Sequence, residues 1–303
     1  MSPSNTPLTW LVTGASSGLG LAICHAALAG GHKVAGGTRN IAKARTANQD
    51  FEAHGGQWIT LDPGHPDSAT AFAEADKKLG GIDVLVNNAG YGYIAGVEDM
   101  SEEKLREQME VNFYGPMRGV RTLLPGMRTR GSGDIVLISS GAGFFGIAGR
   151  GAYCSSKWAV EAMHECLSRE VKGLGVNVLI VEPGAFLTPF FGRAITSGPV
   201  SEGYKGSPLD TAYNVVESLS DTDRLIEYMR GDPDKAARAV VGAVVGGHDD
   251  YLRLVLGPDC WKALEVKLGE RKRDMDATRE ISLSTDRDTE TTPLGPLRAL
   301  GQR

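Results

Sequence analysis

Apolar runs alternate with helix-period stretches from Leu8 to Val181. Leu8–Thr13, Lys33–Thr38 and Gln57–Leu61 read as strands, with helices predicted over Leu19–Gly30 and Ile41–His54 between them. Ile82–Val86 and Asp134–Ser139 are continuous apolar runs, the pattern of strands covered on both faces. Between these two, Ser101–Arg128 has a long helical pattern, in which Ser101 suits the N-cap and Glu102 and Glu103 suit the positive end of the helix dipole. Ala152–Leu174 predicts the next helix and Val176–Val181 the next strand. Alternation of this kind argues for an α/β fold with a parallel, doubly wound sheet.

The pattern changes after Pro183-Gly184. Residues 185–230 are rich in Gly, Pro, Ser and aromatics and carry short helical pieces at best. Pro233–Val245 returns as a helix, Tyr251–Leu256 as a last strand, and Asp259–Arg279 as a charged amphipathic helix. From Ile281 onward Thr, Asp, Arg and Pro dominate, and poor order is expected. No repeat at solenoid spacing and no dividing linker occur. One domain over residues 1–260 is expected, with 185–230 as a substrate lid and 261–303 as a C-terminal helix and tail.

The length of 303 residues is long for one domain but within what an α/β sheet absorbs. At 41% hydrophobic, the composition supports a sizeable core. No apolar run reaches the ~18 residues of a membrane span, so none is expected. A net charge of −5 argues against a nucleic-acid partner. The N-terminus lacks the charged-then-apolar layout of a secretory signal. Cys24, Cys154, Cys166 and Cys260 have no metal-ligand spacing and read as buried thiols, so no metal is expected. Together these features predict a reduced, cytoplasmic setting.

Thr13-Gly14-Ala15-Ser16-Ser17-Gly18-Leu19-Gly20 follows the first strand and opens the first helix. Gly14 would permit the tight turn, Gly18 the approach of a pyrophosphate to the backbone, and Gly20 close helix packing. The second strand ends in Gly37-Thr38-Arg39-Asn40, without the carboxylate that would accept from free ribose hydroxyls in an NAD site. Arg39 is either a solvated surface cation or the partner of a 2′-phosphate, and the missing acid favours the phosphate, hence NADPH/NADP+ rather than NAD. Asp62 closes the third strand, placed either to accept from an adenine amino group or to cap the next helix. Asn87-Asn88-Ala89-Gly90 ends the fourth strand with compact residues that would let a cofactor lie across the sheet edge.

Tyr153 and Lys157 lie four residues apart in a helical stretch and would share one face. A phenol, with an ordinary pKa of about 10, is a poor acid near neutrality, and a nearby ammonium favours its ionised form. Such a tyrosine can exchange a proton with a reacting oxygen. A Tyr and a Lys at this spacing also occur on ordinary amphipathic helices. Here Ser140 stands thirteen residues upstream of Tyr153 and Asn112 farther back, which makes chemistry the better reading.

These residues together resemble the short-chain dehydrogenase/reductase family, in its compact-core branch rather than the extended epimerase-like one, and the resemblance runs from about residue 8 to residue 260. Thr13-Gly-x-x-x-Gly-x-Gly20, Asn87-Asn-Ala-Gly90, Asn112, Ser140, Tyr153-x-x-x-Lys157 and Pro183-Gly184 occur in the family's order and spacing. The resemblance implies a Rossmann fold and hydride transfer between a nicotinamide and a carbonyl or alcohol carbon. It implies Tyr153 as general acid/base, Ser140 as the group that polarises the substrate oxygen, and Asn112 as holder of a relay water. Lys157 would bind the nicotinamide ribose and lower the tyrosine pKa. Thr188 would contact the nicotinamide carboxamide, and Pro183 and Phe186 would line its pocket. Arg39 and the C-terminal extension resemble NADP-preferring steroid- and retinoid-type members. Asp62-Pro63-Gly64 departs from the family, where a small aliphatic residue or Thr usually follows the Asp.

The substrate should lie beyond the carboxyl ends of the strands. Phe186, Phe190, Phe191, Tyr204 and Tyr213 make the lid aromatic, and Tyr91, Tyr93, Phe144, Phe145 and Ile147 add to it. They favour a hydrophobic carbonyl or alcohol as small-molecule partner, or else pack the lid. His164 and His248 read as structural or surface residues. The two longest helices would pair in a homodimer or homotetramer, or stay solvated in a monomer. The leading expectation is an NADP-dependent carbonyl reductase or alcohol dehydrogenase. The alternatives keep the cofactor but act as an isomerase or cyclase, or as a regulatory binder without turnover.

Overall fold

The architecture comes from a computed structural model, which describes residues 6–191, 195–196, 200–218 and 222–286. The strands are β1 (Thr9–Val12), β2 (Lys33–Thr38), β3 (Gln57–Thr60), β4 (Val84–Asn87), β5 (Tyr93–Ile94), β6 (Gly133–Ile138), β7 (Val176–Pro183), β8 (Ile195–Thr196) and β9 (Arg253–Leu256). Seven of them form one sheet in the order β3-β2-β1-β4-β6-β7-β9, parallel throughout. Every residue of β1 and β4 is buried, as the unbroken apolar runs require. The chain winds outward from β1 to β3 and then restarts at β4 on the other side of β1. The crevice beyond β1 and β4 is therefore the topological switch point, where open α/β sheets bind ligands.

The helices are α1 (Gly18–Ala29), α2 (Ile41–Ala47), α3 (Gln49–Ala53), α4 (Ser68–Leu79), α5 (Glu102–Met109), α6 (Gly115–Arg130), α7 (Gly151–Glu170), α8 (Pro208–Ser218), α9 (Thr222–Tyr228), α10 (Pro233–Gly246), α11 (Pro258–Ala277) and α12 (Arg279–Leu283). Strand periodicity sorts β1 between two cores. Trp10 and Val12 join Ile23 of α1 and Val240 of α10 on one face, while Leu11 joins Phe72 of α4, Leu123 of α6 and Leu167 of α7 on the other. By contacts the chain separates into two compact units, Met1–Leu264 and Glu265–Arg303, and the boundary falls within α11. In the second unit Lys267 pairs with Glu270 at 2.9 Å, one turn apart.

Four elements differ from the sequence expectation. The helix expected over Ile41–His54 is broken at Asn48, whose side-chain amide donates to the carbonyls of Ala44 and Ser16 and competes with the helical ladder. Helix α4 is not among the elements the pattern predicts, because its buried face is only Ser68, Phe72 and Ala75. The long helix expected from Ser101 is split by a π-helical turn, Glu110–Tyr114, between α5 and α6. Pro116 has no N–H to give the carbonyl four residues before it, that of Asn112, so the widened turn forms there. At the far end α12 carries helix through Leu283, past the point where poor order was expected; residues 287–303 lie outside the described residues.

Candidate active site

A cavity of about 1290 Å³ opens at the switch point, lined by Arg39 and Lys43 as well as by Tyr153 and Phe191. The phosphate-type loop forms its floor. Gly14 and Gly18 have φ of 64° and 58°, backbone that favours glycine. A Cβ on Gly14 would stand 2.8 Å from the Cα of Ala89. Thr13 ties this loop to β4, accepting at its hydroxyl from the backbone N–H groups of Asn88 and Ala89, each at 3.0 Å. Ser16, Ser17, Gly18 and Leu19 face the cavity where α1 begins, and the positive end of the dipole at that first turn suits a phosphate. Gly20 does not line the cavity. Its missing side chain makes room for the Asn88 amide, which donates to the carbonyls of Thr13 at 2.8 Å and Gly14 at 3.2 Å.

At the other side of the loop, Thr38 and Arg39 line the cavity with Lys43, a cation the sequence reading passed over. Asn40 accepts from the N–H of Lys43 and caps α2, so Arg39 just before the cap and Lys43 in the first turn flank the same helix start. Among the described residues neither side chain has an acidic partner. Asp62 also lines the cavity. It does not cap α4, which starts at Ser68; it accepts from the N–H of Gly64 at 3.1 Å. Gly64 in turn packs on Val111 of the π turn, which explains the departure at Pro63-Gly64.

The opposite end gathers residues from two elements, the end of β6 and α7. Ser140 follows β6 and accepts at its hydroxyl from the N–H of Ala142. Tyr153 and Lys157 lie on α7, both 5% exposed. Ser140 and Tyr153 are within hydrogen-bonding reach. The neighbouring Ser139 donates its hydroxyl to the buried Glu161 carboxylate, which leaves the Ser140 hydroxyl, at the thirteen-residue spacing from Tyr153, as the serine not engaged with an acid. Burial pushes the Tyr153 phenol up to about 12, opposed by the Ser140 bond and the Arg150 charge. The sequence reading gave that opposing part to Lys157. Lys157 instead donates to the carbonyl of Ile138 at 2.8 Å, and burial pushes its ammonium down to about 8.

Asn112 does not line the cavity; it braces it. Its amide donates to the carbonyl of Tyr91 at 3.0 Å and to Ser156 at 3.1 Å, and its oxygen accepts from the N–H of Tyr91 at 3.3 Å. Below the site, Arg253 reaches Glu165 at 2.8 Å, Glu182 at 3.3 Å and Glu161 at 3.5 Å. Glu161 and Glu182 also lie within hydrogen-bonding reach of each other, and burial with the neighbouring Glu161 charge pushes Glu182 up to about 8.

Pro183, Gly184, Phe186 and Thr188 pass over the cavity after β7. Asp259 anchors this turn by accepting from the N–H of Ala185 at 2.7 Å, and Gly184 leaves room for its carboxylate. Of the aromatic residues expected near the substrate, Tyr91, Tyr93, Phe145, Phe190 and Phe191 line the cavity with Ile147. Phe144, Tyr204 and Tyr213 do not. The 3₁₀ turn Gly141–Gly143 carries only the second of the adjacent phenylalanines inward, and the tyrosines fall on lid elements beyond the opening. Phe190 packs on Tyr153 with ring centroids 5.7 Å apart. Arg150, like Lys43, carried no sequence signal beyond its place three residues before Tyr153. His164 is buried with Nδ1 on the carbonyl of Val160, and burial pushes it down to about 4, a structural role as expected. Cys166 is exposed, against expectation, while the other three cysteines are buried.

A parallel doubly wound sheet with a glycine loop at its switch point, and a Ser-Tyr-Lys set across the same cavity, defines a dinucleotide-binding oxidoreductase. Residues 9–197 match the family model described as short chain dehydrogenase. Oxidoreductase claN of Passalora fulva is 44% identical over 206 residues, 67% of this chain and 92% of that protein. A short-chain dehydrogenase crystal structure from Streptomyces avermitilis superposes with a TM-score of 0.81 at 36% identity, covering 94% of this chain and 100% of that one. A metagenomic short-chain oxidoreductase in complex with NADP gives 0.63 at 26% identity, over 84% of this chain and 98% of its own. The chain belongs to the short-chain dehydrogenase/reductase family. Among the described residues no helix is long and apolar enough to cross a membrane.

Proposed function

We propose that this protein is an NADP(H)-dependent oxidoreductase that interconverts a carbonyl and a secondary alcohol on a hydrophobic small molecule. The observation that carries the reading is the juxtaposition in one cavity of Ser140, Tyr153 and Lys157 with Arg39 and Lys43, cations that have no acidic partner among the described residues. The residues present fit the cofactor. The positive-φ glycines and the first turn of α1 suit the pyrophosphate, and Arg39 with Lys43 suits a 2′-phosphate. Lys157 spends one of its three N–H donors on Ile138, which leaves two for ribose hydroxyls. A relative of known structure holds NADP, which supports the same choice here.

When bound, the nicotinamide supplies the hydride. Ser140 donates to the substrate carbonyl oxygen and holds it beside Tyr153. Buried and protonated, Tyr153 gives its proton to that oxygen as negative charge develops there. In the oxidative direction it takes the proton back. Asn112 keeps the Gly90–Gly92 turn against α7, and its main-chain carbonyl, denied a donor by Pro116, is available to a water that resupplies the proton. The apolar wall of Phe145, Phe190 and Phe191 excludes bulk water and suits a hydrophobic substrate. The domain over residues 1–260 with its lid is the unit that performs this reaction.

The test is a ketone panel scored by loss of NADPH absorbance, with stoichiometric alcohol formation. Tyr153→Phe should lower kcat by about a hundredfold or more while NADPH still binds. Near-normal turnover by that variant would remove Tyr153 as the acid. Product formed without NADPH consumption would favour an isomerase or cyclase instead.

A further inference from the structure

The substrate end of the cavity contains a cation that the reaction just described does not use. Arg150 immediately precedes α7, and its guanidinium lies 5.1 Å from the centroid of the Phe191 ring. It stands three residues before Tyr153, a spacing that puts the two side chains on one side of the first helical turn. Burial holds the guanidinium below its usual range, and among the described residues no carboxylate pairs with it.

The acids lining the same cavity are engaged elsewhere. Asp62 accepts from Gly64, Glu107 from the Tyr93 hydroxyl, Glu110 pairs with Arg118, and Asp259 accepts from Ala185. The stretch from Pro183 to Ser201, which carries Phe190 and Phe191, contains no Asp or Glu. Withdrawing a charge from water without a countercharge costs free energy, so the protein alone gains nothing from this placement. A ligand that brings the countercharge changes the balance. A guanidinium is planar, stacks on aromatic rings and accepts two oxygens at once.

We propose that Arg150 receives an anionic oxygen of the substrate, a carboxylate or an ionised phenol carried on an aromatic ketone. This deepens the reading above and rests on it for the word substrate, but the site itself is defined by Arg150, Phe191 and the cavity. The aromatic frame of the ligand lies against Phe145, Phe190 and Phe191, and its anionic oxygen meets Arg150 close to the Tyr153 hydroxyl. The pairing also quenches the positive charge that draws the proton from Tyr153, which favours the acid form that reduction needs.

Direct binding tests this without turnover. Calorimetry on the NADP+-loaded protein compares 2-naphthoate with 2-naphthamide, and 4-nitrophenolate with 4-nitroanisole. At least one anion should bind wild type about tenfold or more tightly than its neutral partner, the worth of a charge-assisted contact in a water-poor site. The pair that shows the preference tells carboxylate from phenolate. Arg150→Met should bring that ratio to about one, and Arg150→Lys should restore part of it. If neither anion outbinds its neutral partner in wild type, or if the ratio survives in Arg150→Met, the proposal is overturned. Anion preference without reduction of any ketone would leave the site standing and remove the proposed reaction. Ketone reduction without anion preference would do the reverse.

Discussion

The Lys157 ammonium donates to the main-chain carbonyl of Ile138 at 2.8 Å, across from the tyrosine one turn earlier on α7. Its charge is held in a buried place by a neutral acceptor, with Glu161 one turn farther on as the acid that favours it. Burial outweighs that acid and pushes Lys157 from its ordinary 10.5 down to about 8. In the unliganded protein the lysine is therefore a stability cost kept at the active site.

That cost has a sign that can be measured. Between pH 8 and 10.5 the folded protein releases the Lys157 proton while the unfolded chain keeps it, so this group adds stability as pH rises through that window, and below it the full penalty remains. Lys157→Met should raise unfolding free energy at neutral pH by about 1–3 kcal/mol and flatten the pH dependence, while removing turnover. Chemical denaturation at several pH values checks it. A destabilised variant at pH 7 would show that the Ile138 bond outweighs desolvation.

Arg39 and Lys43 line the same cavity, and among the described residues neither has an acidic partner. Arg39→Ala should weaken NADPH by about tenfold or more and NADH by less than about threefold. Lys43→Ala should show the same selectivity at smaller size. Fluorescence titration of both cofactors reads the ratio; equal weakening would end the 2′-phosphate reading.

Gly90 lies beside both Asn112 and Lys157. A Cβ there would stand 3.2 Å from the Asn112 oxygen and 3.8 Å from the Lys157 nitrogen. Gly90→Ala should therefore cut kcat by about tenfold, through small displacements of the brace, with a melting temperature within a few degrees of wild type. A large loss of stability with intact kcat would make Gly90 a packing residue instead.

Arg253 neutralises a buried acidic cluster. Removing it as Arg253→Met leaves Glu161 and Glu182, 4% and 1% exposed, without their cation and should cost about 2–4 kcal/mol. Adding Glu182→Gln should recover part of that loss. Denaturant midpoints of the single and double variants measure the coupling.

The sequence by itself determined the fold class and most of the cavity. Uninterrupted apolar strands such as Ile135–Ile138 demand cover on both faces, and helices between them force a parallel sheet. Glycines 14 and 18 were legible because their spacing between strand and helix leaves few other uses. Tyr153 and Lys157 could be placed on one helix face because helical periodicity is a local property, whereas the same periodicity ran through Glu110–Tyr114 and missed the π-helical turn there. The tertiary structure decided what depends on distances across the chain. It bound the Ser139 hydroxyl to Glu161, sent Phe145 inward and Phe144 elsewhere, and gave Gly20 to Asn88. It also set the charges. Whether Lys157 or Arg150 acts on the Tyr153 proton depends on burial and on which acceptor each cation meets, and Ile138 is nineteen residues from Lys157 in sequence. Periodicity reports which face a residue is on; desolvation and pairing depend on what the fold brings to that face.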